Sequence, residues 1–330
     1  MSSVDITQIK DVALNTGVAV MADQYDTADL VYPLIAEVIG LDRLTDRPYG
    51  HRASTLTGVG EPMEYIEGNT ADADTMDQGY TWQIGAKLYA RSITLPYSLM
   101  ETANPLREVE VRTLGFVEGF ARRSTVFKDE RVAGMFNEGA KTAGSTKFFD
   151  ARYEGQSDTN LGFIYDGLPL FDTAHPLKSK PGTTLSNFEA SRTLTRENVQ
   201  LTRTAMMKTN AVDERGNPIG LTPNAIMVPP ELEEDLDGIV RSTLRPDTAN
   251  NAVNLHQGRY VPIVNRYLTD TDGWFMLQRQ RGLVVVDTGL PEVRIIDHPS
   301  RNCVEIKCQF RFGAAWKDWR PAFGCNISAS

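Results

Sequence analysis

Cysteine is scarce in this chain and crowded where it occurs: Cys303, Cys308 and Cys325 all lie near the C-terminal end, and no CxxC pair is among them. That excludes a disulfide framework and a zinc ribbon, so a reducing compartment is the simplest expectation. Cys303 and Cys308 are an odd number of positions apart on a run that reads as extended, so they point to opposite faces and cannot pair while the strand is regular. Histidine is as sparse. His51, His175, His256 and His298 are scattered and form no HExxH or other metal-ligand pattern. P-loop, GxSxG and GxGxxG motifs are missing, and no catalytic residue, cofactor or metal is expected. No segment approaches the ~20 apolar residues a membrane helix needs. Met1-Ser2-Ser3-Val4-Asp5 lacks the basic-then-apolar order of a signal peptide, so a soluble protein without such a signal is expected. An excess of positive charge is also lacking. The formal charge is −9, from 34 Lys plus Arg against 43 Asp plus Glu, which repels polyanions and argues against tight wrapping of nucleic acid.

What is present is enough for a substantial core: 330 residues, 41% of them hydrophobic, suffice for two compact units or one elaborate one. From Asp26 to Gly40, Leu30, Val31, Leu34, Ile35 and Val38 recur at helical spacing, interrupted by Pro33, which reads as an extended arm with a short helix. From about Gly50 to Leu95 glycine and threonine are frequent. Glu61, Glu64, Glu67, Asp72, Asp74 and Asp77 occur there with no Lys or Arg between 61 and 77. The return run Lys87 to Leu95 is rich in strand formers, so this segment reads as a long acidic hairpin.

Asn104-Pro105 is a good helix start, and the stretch from there to about Glu138 has no further proline. Leu106, Val109, Phe116, Val117, Phe120, Phe127 and Met135 give it an apolar face. Arg107, Glu108, Arg112, Arg122, Arg123, Lys128 and Asp129 supply the polar remainder, and Gly115 and Gly119 have GxxxG spacing. Gly139 to Asn187 reads as irregular chain. Thr195 caps a helix through Val199, Leu201, Ala205 and Met206. Asp213 to Pro218 is a turn, Ala225 to Val228 a short buried strand, and Pro229-Pro230 opens a helix carrying Leu232, Leu236, Ile239 and Val240. Strands are expected at Val261 to Val264, Trp274 to Leu277 and Leu283 to Val286. The clearest runs from Val304 to Phe312, alternating apolar and polar residues.

An arm, an acidic hairpin, a very long helix, an α+β module and a late amphipathic strand, in that order, resemble the capsid fold of Hong Kong 97-type phages. A more specific likeness is to Mu-like major head subunits. It is carried by Leu170-Phe171-Asp172-Thr173-Ala174-His175-Pro176, by Ala225-Ile226-Met227-Val228-Pro229-Pro230-Glu231-Leu232-Glu233, and by Phe312-Gly313-Ala314-Ala315-Trp316-Lys317-Asp318-Trp319-Arg320-Pro321. The resemblance covers the chain from about Arg91 onward. It implies an α+β subunit with an N-arm over 1–48, an E-loop hairpin and its return strand over 49–100, and a P-domain with its spine helix and surface loop over 101–193. An A-domain follows over 194–290, and 291–330 supplies a late P-domain strand and a closing A-domain strand. It further implies a major capsid protein of a tailed bacteriophage, whose copies form pentamers and hexamers around double-stranded DNA, with portal and scaffolding or decoration proteins as partners and no membrane. The location implied is the virion, assembled in the bacterial host cytoplasm. A container tolerates the negative charge. The same fold implies an alternative, an encapsulin-like compartment holding protein cargo. Covalent cross-linking through Lys and Asn does not carry over, because 61–77 has Asn69 and no Lys.

Asp172 and His175, spaced D-x-x-H with Asp166 nearby, could serve a soluble hydrolase or a metal, but Asp and His before Pro are ordinary turn chemistry, and a loop-fixing role is the stronger expectation. Lys317, Asp318, Trp319 and Arg320 read as a packed corner with a local ion pair rather than a binding patch. Arg122 and Arg123 beside Lys128 read as a solvated helix face or an inter-subunit ion pair rather than a DNA contact. The acidic hairpin is the place where function outweighs the bland reading. Too polar to make its own core, it is expected to lie over an adjacent subunit, with Glu61, Glu64, Glu67, Asp72, Asp74 and Asp77 meeting Lys or Arg there.

Overall fold

The computed structural model describes residues 6–26, 28–44, 50–57, 74, 78–101, 105–141, 148–149, 164–243 and 253–327. The chain begins with helix α1 (Ile6–Asp26), a one-turn helix α2 (Tyr32–Ile35) and strand β1 (Glu37–Ile39). A hairpin of β2 (Gly50–Leu56) and β3 (Gln78–Gly85) leads into β4 (Lys87–Pro96) and then the long helix α3 (Pro105–Asn137). Three short strands follow, β5 (His175–Pro176), β6 (Thr184–Leu185) and β7 (Phe188–Glu189), then α4 (Arg196–Thr204), β8 (Ala225–Val228), α5 (Glu233–Val240), β9 (Val261–Val264) and β10 (Trp274–Leu277). The chain closes with β11 (Leu283–Asp287), β12 (Glu292–His298), β13 (Cys303–Trp316) and β14 (Ala322–Cys325).

Two sheets share the core. In the first, β13 is central: β4 pairs antiparallel along one edge from Lys87↔Phe312 to Pro96↔Cys303, while β12 and then β11 occupy the other, with β1 parallel outside β11. The second runs β7-β14-β10-β8-β9. Its β8 and β10 are apolar at every position because both faces are covered. Ala225, Met227, Phe275 and Leu277 join the core beneath the end of α3, whereas Ile226, Val228, Trp274 and Met276 join the core beneath α4 and α5. Phe136 links the sheets, with its ring 5.1 Å from that of Phe275 and 5.6 Å from that of Trp316.

The long helix matches its expected span. At 33 residues it runs roughly 50 Å with a rise of 1.5 Å per residue; Asn104, the expected cap, lies outside the described residues. Its buried stripe is Val109, Thr113, Val117, Ala121, Ser124, Lys128, Val132 and Met135, at the helical repeat of three and four. The polar members are satisfied locally: Thr113 donates to Val109 O at 2.7 Å and Ser124 to Ala121 O at 2.7 Å.

The structure corrects the expected outer face at Lys128 and Asp129. Lys128 is wholly buried, its Nζ 2.8 Å from Asp287 Oδ1 and donating to Gly289 O at 3.0 Å and Tyr25 Oη at 2.5 Å. Burial pulls its pKa down against the attraction of Asp287. Tyr25 and Tyr32 also donate to Asp287. Asp129 accepts the backbone N–H of Val31 at 3.1 Å and of Tyr32 at 2.9 Å, holding the start of α2; burial raises its pKa and those hydrogen bonds oppose the rise. The exposed arginines instead pair along their own helix, Arg122 with Glu118 at 2.5 Å and Arg123 with Glu130 at 3.2 Å.

The short helix expected between Asp26 and Gly40 is α2, and a further helix, not among the expected elements, precedes it. Ile6–Asp26 is a 21-residue helix lying on α3, and Pro33 sits in the opening turn of α2, where its missing N–H costs nothing. Gly17 faces Val117 of α3 and Val293 of β12, where a Cβ would make ordinary contacts at 3.5 and 3.4 Å. The hairpin root is not detached from its own core either. Ile84 and Ala86 are buried with Ile39, Val284, Val286 and Ala315, and Gly313 lets β13 pass so close that a Cβ would sit 2.2 Å from Gly85 O.

Lys128→Met should cost about 3–5 kcal/mol by leaving the Asp287 carboxylate buried without its cation, and adding Asp287→Leu should recover most of that loss. Urea unfolding of the unassembled subunit measures both. Equal stability of Lys128→Met and the parent would contradict the account.

Candidate functional site

Asp172 and His175 do not form an acid–base pair. Asp172 Oδ1 accepts from Ala174 N at 2.9 Å, a local turn of the kind aspartate makes before a bend. His175 Nδ1 instead lies 2.6 Å from Asp166 Oδ2, and Nε2 lies 3.1 Å from Asn187 Oδ1, with the side chains of His175 and Asp166 wholly buried. The orientation of the Asn187 amide is set by its neighbours: Oδ1 accepts from Asp172 N at 3.0 Å, and Nδ2 donates to Leu170 O at 2.8 Å and Ala322 O at 3.2 Å. Both imidazole nitrogens therefore face acceptor oxygens. Each is taken up by a contact inside the protein, with the ring shut away from solvent. Among the described residues no group of three or more His, Cys, Asp or Glu is arranged to hold a metal ion.

The histidine ring stacks on Trp319 at 4.3 Å with planes 10° apart, and the Arg320 guanidinium lies 5.0 Å from the same indole. Arg320 bridges Glu214 at 2.8 Å and Asp318 at 3.1 Å inside the protein. Burial disfavours its charge, but Asp318, Tyr165 and Glu214 outweigh that and raise its pKa. Lys317 pairs with Glu37. The Lys317–Arg320 run is thus a packed corner that joins the loop at 164–178 to the C-terminal strand. Asn187, Trp319 and Glu214 complete this network. Asn187 and Trp319 meet His175 and Glu214 meets Arg320, and no local sequence signal announces any of these contacts.

The network reaches the acidic hairpin. Glu214 Oε2 accepts from Lys178 N at 2.9 Å, and Lys178 Nζ donates to Gln78 O at 2.8 Å and Gly79 O at 2.6 Å. Of the expected contact carboxylates, Glu61, Glu64, Glu67, Asp72 and Asp77 lie outside the described residues. Asp74 pairs with Arg215 of its own chain at 2.8 Å, so for this residue an in-chain cation is a correction to the expected partner on a neighbour. The cysteines are buried and unpaired. Burial pushes the Cys308 and Cys325 thiols up to about 12.

With this geometry in view, comparison with known proteins gives a consistent class. The model of the family described as phage capsid protein matches residues 117–323, from the middle of α3 to β14. The chain belongs to the phage capsid protein family, and its work is that of a major capsid protein, a shell-forming structural subunit of the virion. Similar solved structures include the procapsid of bacteriophage JBD30, at 15% identity and a TM-score of 0.48, covering 99% of this chain and 76% of that one. The capsid of Ralstonia phage GP4 has 15% identity and a TM-score of 0.48, covering 85% and 84%. The capsid of the native GTA particle has 10% identity and a TM-score of 0.47, covering 89% of each. No curated protein matches the chain.

His175→Ala should destabilise the subunit by about 3 kcal/mol, since Asp166 would lose its buried partner. Thermal melting followed by circular dichroism reads the loss, and an unshifted transition would contradict a loop-fixing role. Native protein at pH 8 should resist iodoacetamide at Cys308 and Cys325, because thiols raised to about 12 remain protonated. Peptide mapping after a short pulse checks this, and rapid labelling before unfolding would contradict the burial.

Proposed function

We propose that this chain is the major head protein of a tailed bacteriophage and catalyses nothing, its copies forming pentamers and hexamers of an icosahedral or prolate shell that encloses double-stranded DNA. The family match over 117–323 carries this reading. In the layout that goes with it, 1–48 is the N-terminal arm, 49–100 the E-loop hairpin, 101–193 the P-domain, 194–290 the A-domain, and 291–330 the late strands shared by both. Assembly takes place in the host cytoplasm, with portal and scaffolding or decoration proteins as partners. The net charge of −9 suits a wall that encloses DNA without gripping it.

The acidic segment is the proposed contact arm. Glu61, Glu64, Glu67, Asp72 and Asp77 meet cations of a neighbouring subunit, while Asp74 pairs with Arg215 of its own chain. An exposed pair is worth only ~0.2–1 kcal/mol, so the effect arises from several pairs repeated at every contact in the shell.

Electron microscopy of the purified protein should show uniform closed shells tens of nanometres across, and small monomers or dimers under all conditions would defeat the reading. Nucleic acid within particles from infected cells separates a virion from a protein-filled compartment. Replacing Glu61, Glu64, Glu67, Asp72 and Asp77 with neutral amides should leave the subunit folded but weaken or misdirect assembly, most visibly at low salt. Shells of normal yield at both low and high ionic strength would rule out the electrostatic arm.

A further inference from the structure

The β2–β3 hairpin is held by its own subunit at two separate places. At its root, Ile84 is fully buried among Ile39, Val284, Val286 and Ala315, and Gly85 O lies against Gly313. At the other end of β3, Lys178 Nζ takes the carbonyls of Gln78 and Gly79 at 2.8 and 2.6 Å, and Arg215 takes the carboxylate of Asp74 at 2.8 Å. The seven residues from Gln78 to Ile84 span roughly 20 Å as a strand. One attachment would leave a hinge; two attachments that far apart fix a direction.

The far attachment is built into the backbone. The ladder between β2 and β3 shifts register between Ser54 and Leu56, and such an irregularity bends a strand and takes carbonyls out of the regular pairing. Lys178 donates to the carbonyls of Gln78 and Gly79 beside that shift, a charge-assisted contact. Neither cation stands alone: Lys178 N is held by Glu214, Glu214 by buried Arg320, the loop carrying Lys178 by the Asp166–His175–Asn187 contacts, and Arg215 N by Asp213. The ring of Tyr80 on β3 meets that of Tyr165 on the same loop at 5.2 Å.

We infer that Lys178 and Arg215 form an in-chain clamp, seated on the buried His175–Trp319–Arg320 network, that sets the direction in which the hairpin leaves its subunit before any neighbour is met. The consequence for shell geometry rests on the reading of the hairpin as a contact arm; the clamp itself does not. Pre-orientation of this kind lowers the ordering cost of the first subunit contact.

Hydrogen exchange on the unassembled full-length chain tests it with Lys178→Met/Arg215→Met. Both side chains reach toward the surface, so the core should be unaffected. Amides of Gly50–Leu56 and Gln78–Tyr80 should exchange at least roughly tenfold faster in the double variant, with Ala225–Val228 unchanged, and Lys178→Arg should retain most of the protection. Unchanged exchange in the hairpin overturns the clamp, as does an equal loss of protection at Ala225–Val228, which would make these residues general stabilisers. Shell size by electron microscopy is read separately. Faster hairpin exchange with shells of normal yield and diameter supports the clamp and counts against the contact-arm reading.

Discussion

The fold turns on one buried charge, the ammonium of Lys128. It sits in the C-terminal third of the long helix where three other pieces of chain converge: Tyr25 from α1, Tyr32 from α2, and Asp287 with Gly289 at the end of β11. A charge out of water is costly unless paired and fully hydrogen-bonded, and every donor of Lys128 has an acceptor here. Such a pair specifies more than it stabilises. A Met and a Leu could fill the same space, but only the charged arrangement requires those partners together. Asp129, the next residue, applies the same logic on the other side by accepting the first backbone N–H groups of α2. Two adjacent charged residues thereby set the N-terminal segments against the spine of the molecule.

From that junction the rest follows by packing. The end of α3 inserts Phe136 between the sheets, and the second sheet is apolar on both sides because α3 covers one face and α4 with α5 the other. β13 is the longest strand, paired on both edges, and its glycine at 313 lets the hairpin root cross it. The hairpin is thereby rooted against the central strand of the first sheet.

The Asp166–His175 pair sets chemistry-bearing residues wholly inside the protein. A histidine between a carboxylate and an amide oxygen, stacked on an indole, has the composition of an active site but none of the access. Its place is at the meeting of a long irregular loop, the 213–217 turn and the last strand. The segment has only the short β5–β6 ladder to order it, and buried side-chain hydrogen bonds add to that ladder.

Local chemistry made much of this legible from sequence. Prolines and polar caps set where helices begin, as at Pro105 and at Thr195, whose side chain accepts from Asn198 N. Apolar runs and alternation set the strands Ala225–Val228, Val261–Val264, Trp274–Leu277 and the core of β13 almost to the residue. Motif order then indicated a capsid subunit. Helix α1 was not legible, because Gly17 and its β-branched neighbours are weak helix formers and the helix rests on contacts with α3. Lys128 and Asp129 read as surface because charge alone implies solvent; only the placement of Asp287, 159 positions away, makes burial of Lys128 tolerable. His175 was visible, but its partners Asn187 and Trp319 were not, since nothing in their local sequence announces a contact. Sequence determined the elements and the family, which depend on neighbours a few residues apart. Tertiary structure decided which charges are buried and what holds the hairpin, because both depend on residues that meet only when the chain has folded.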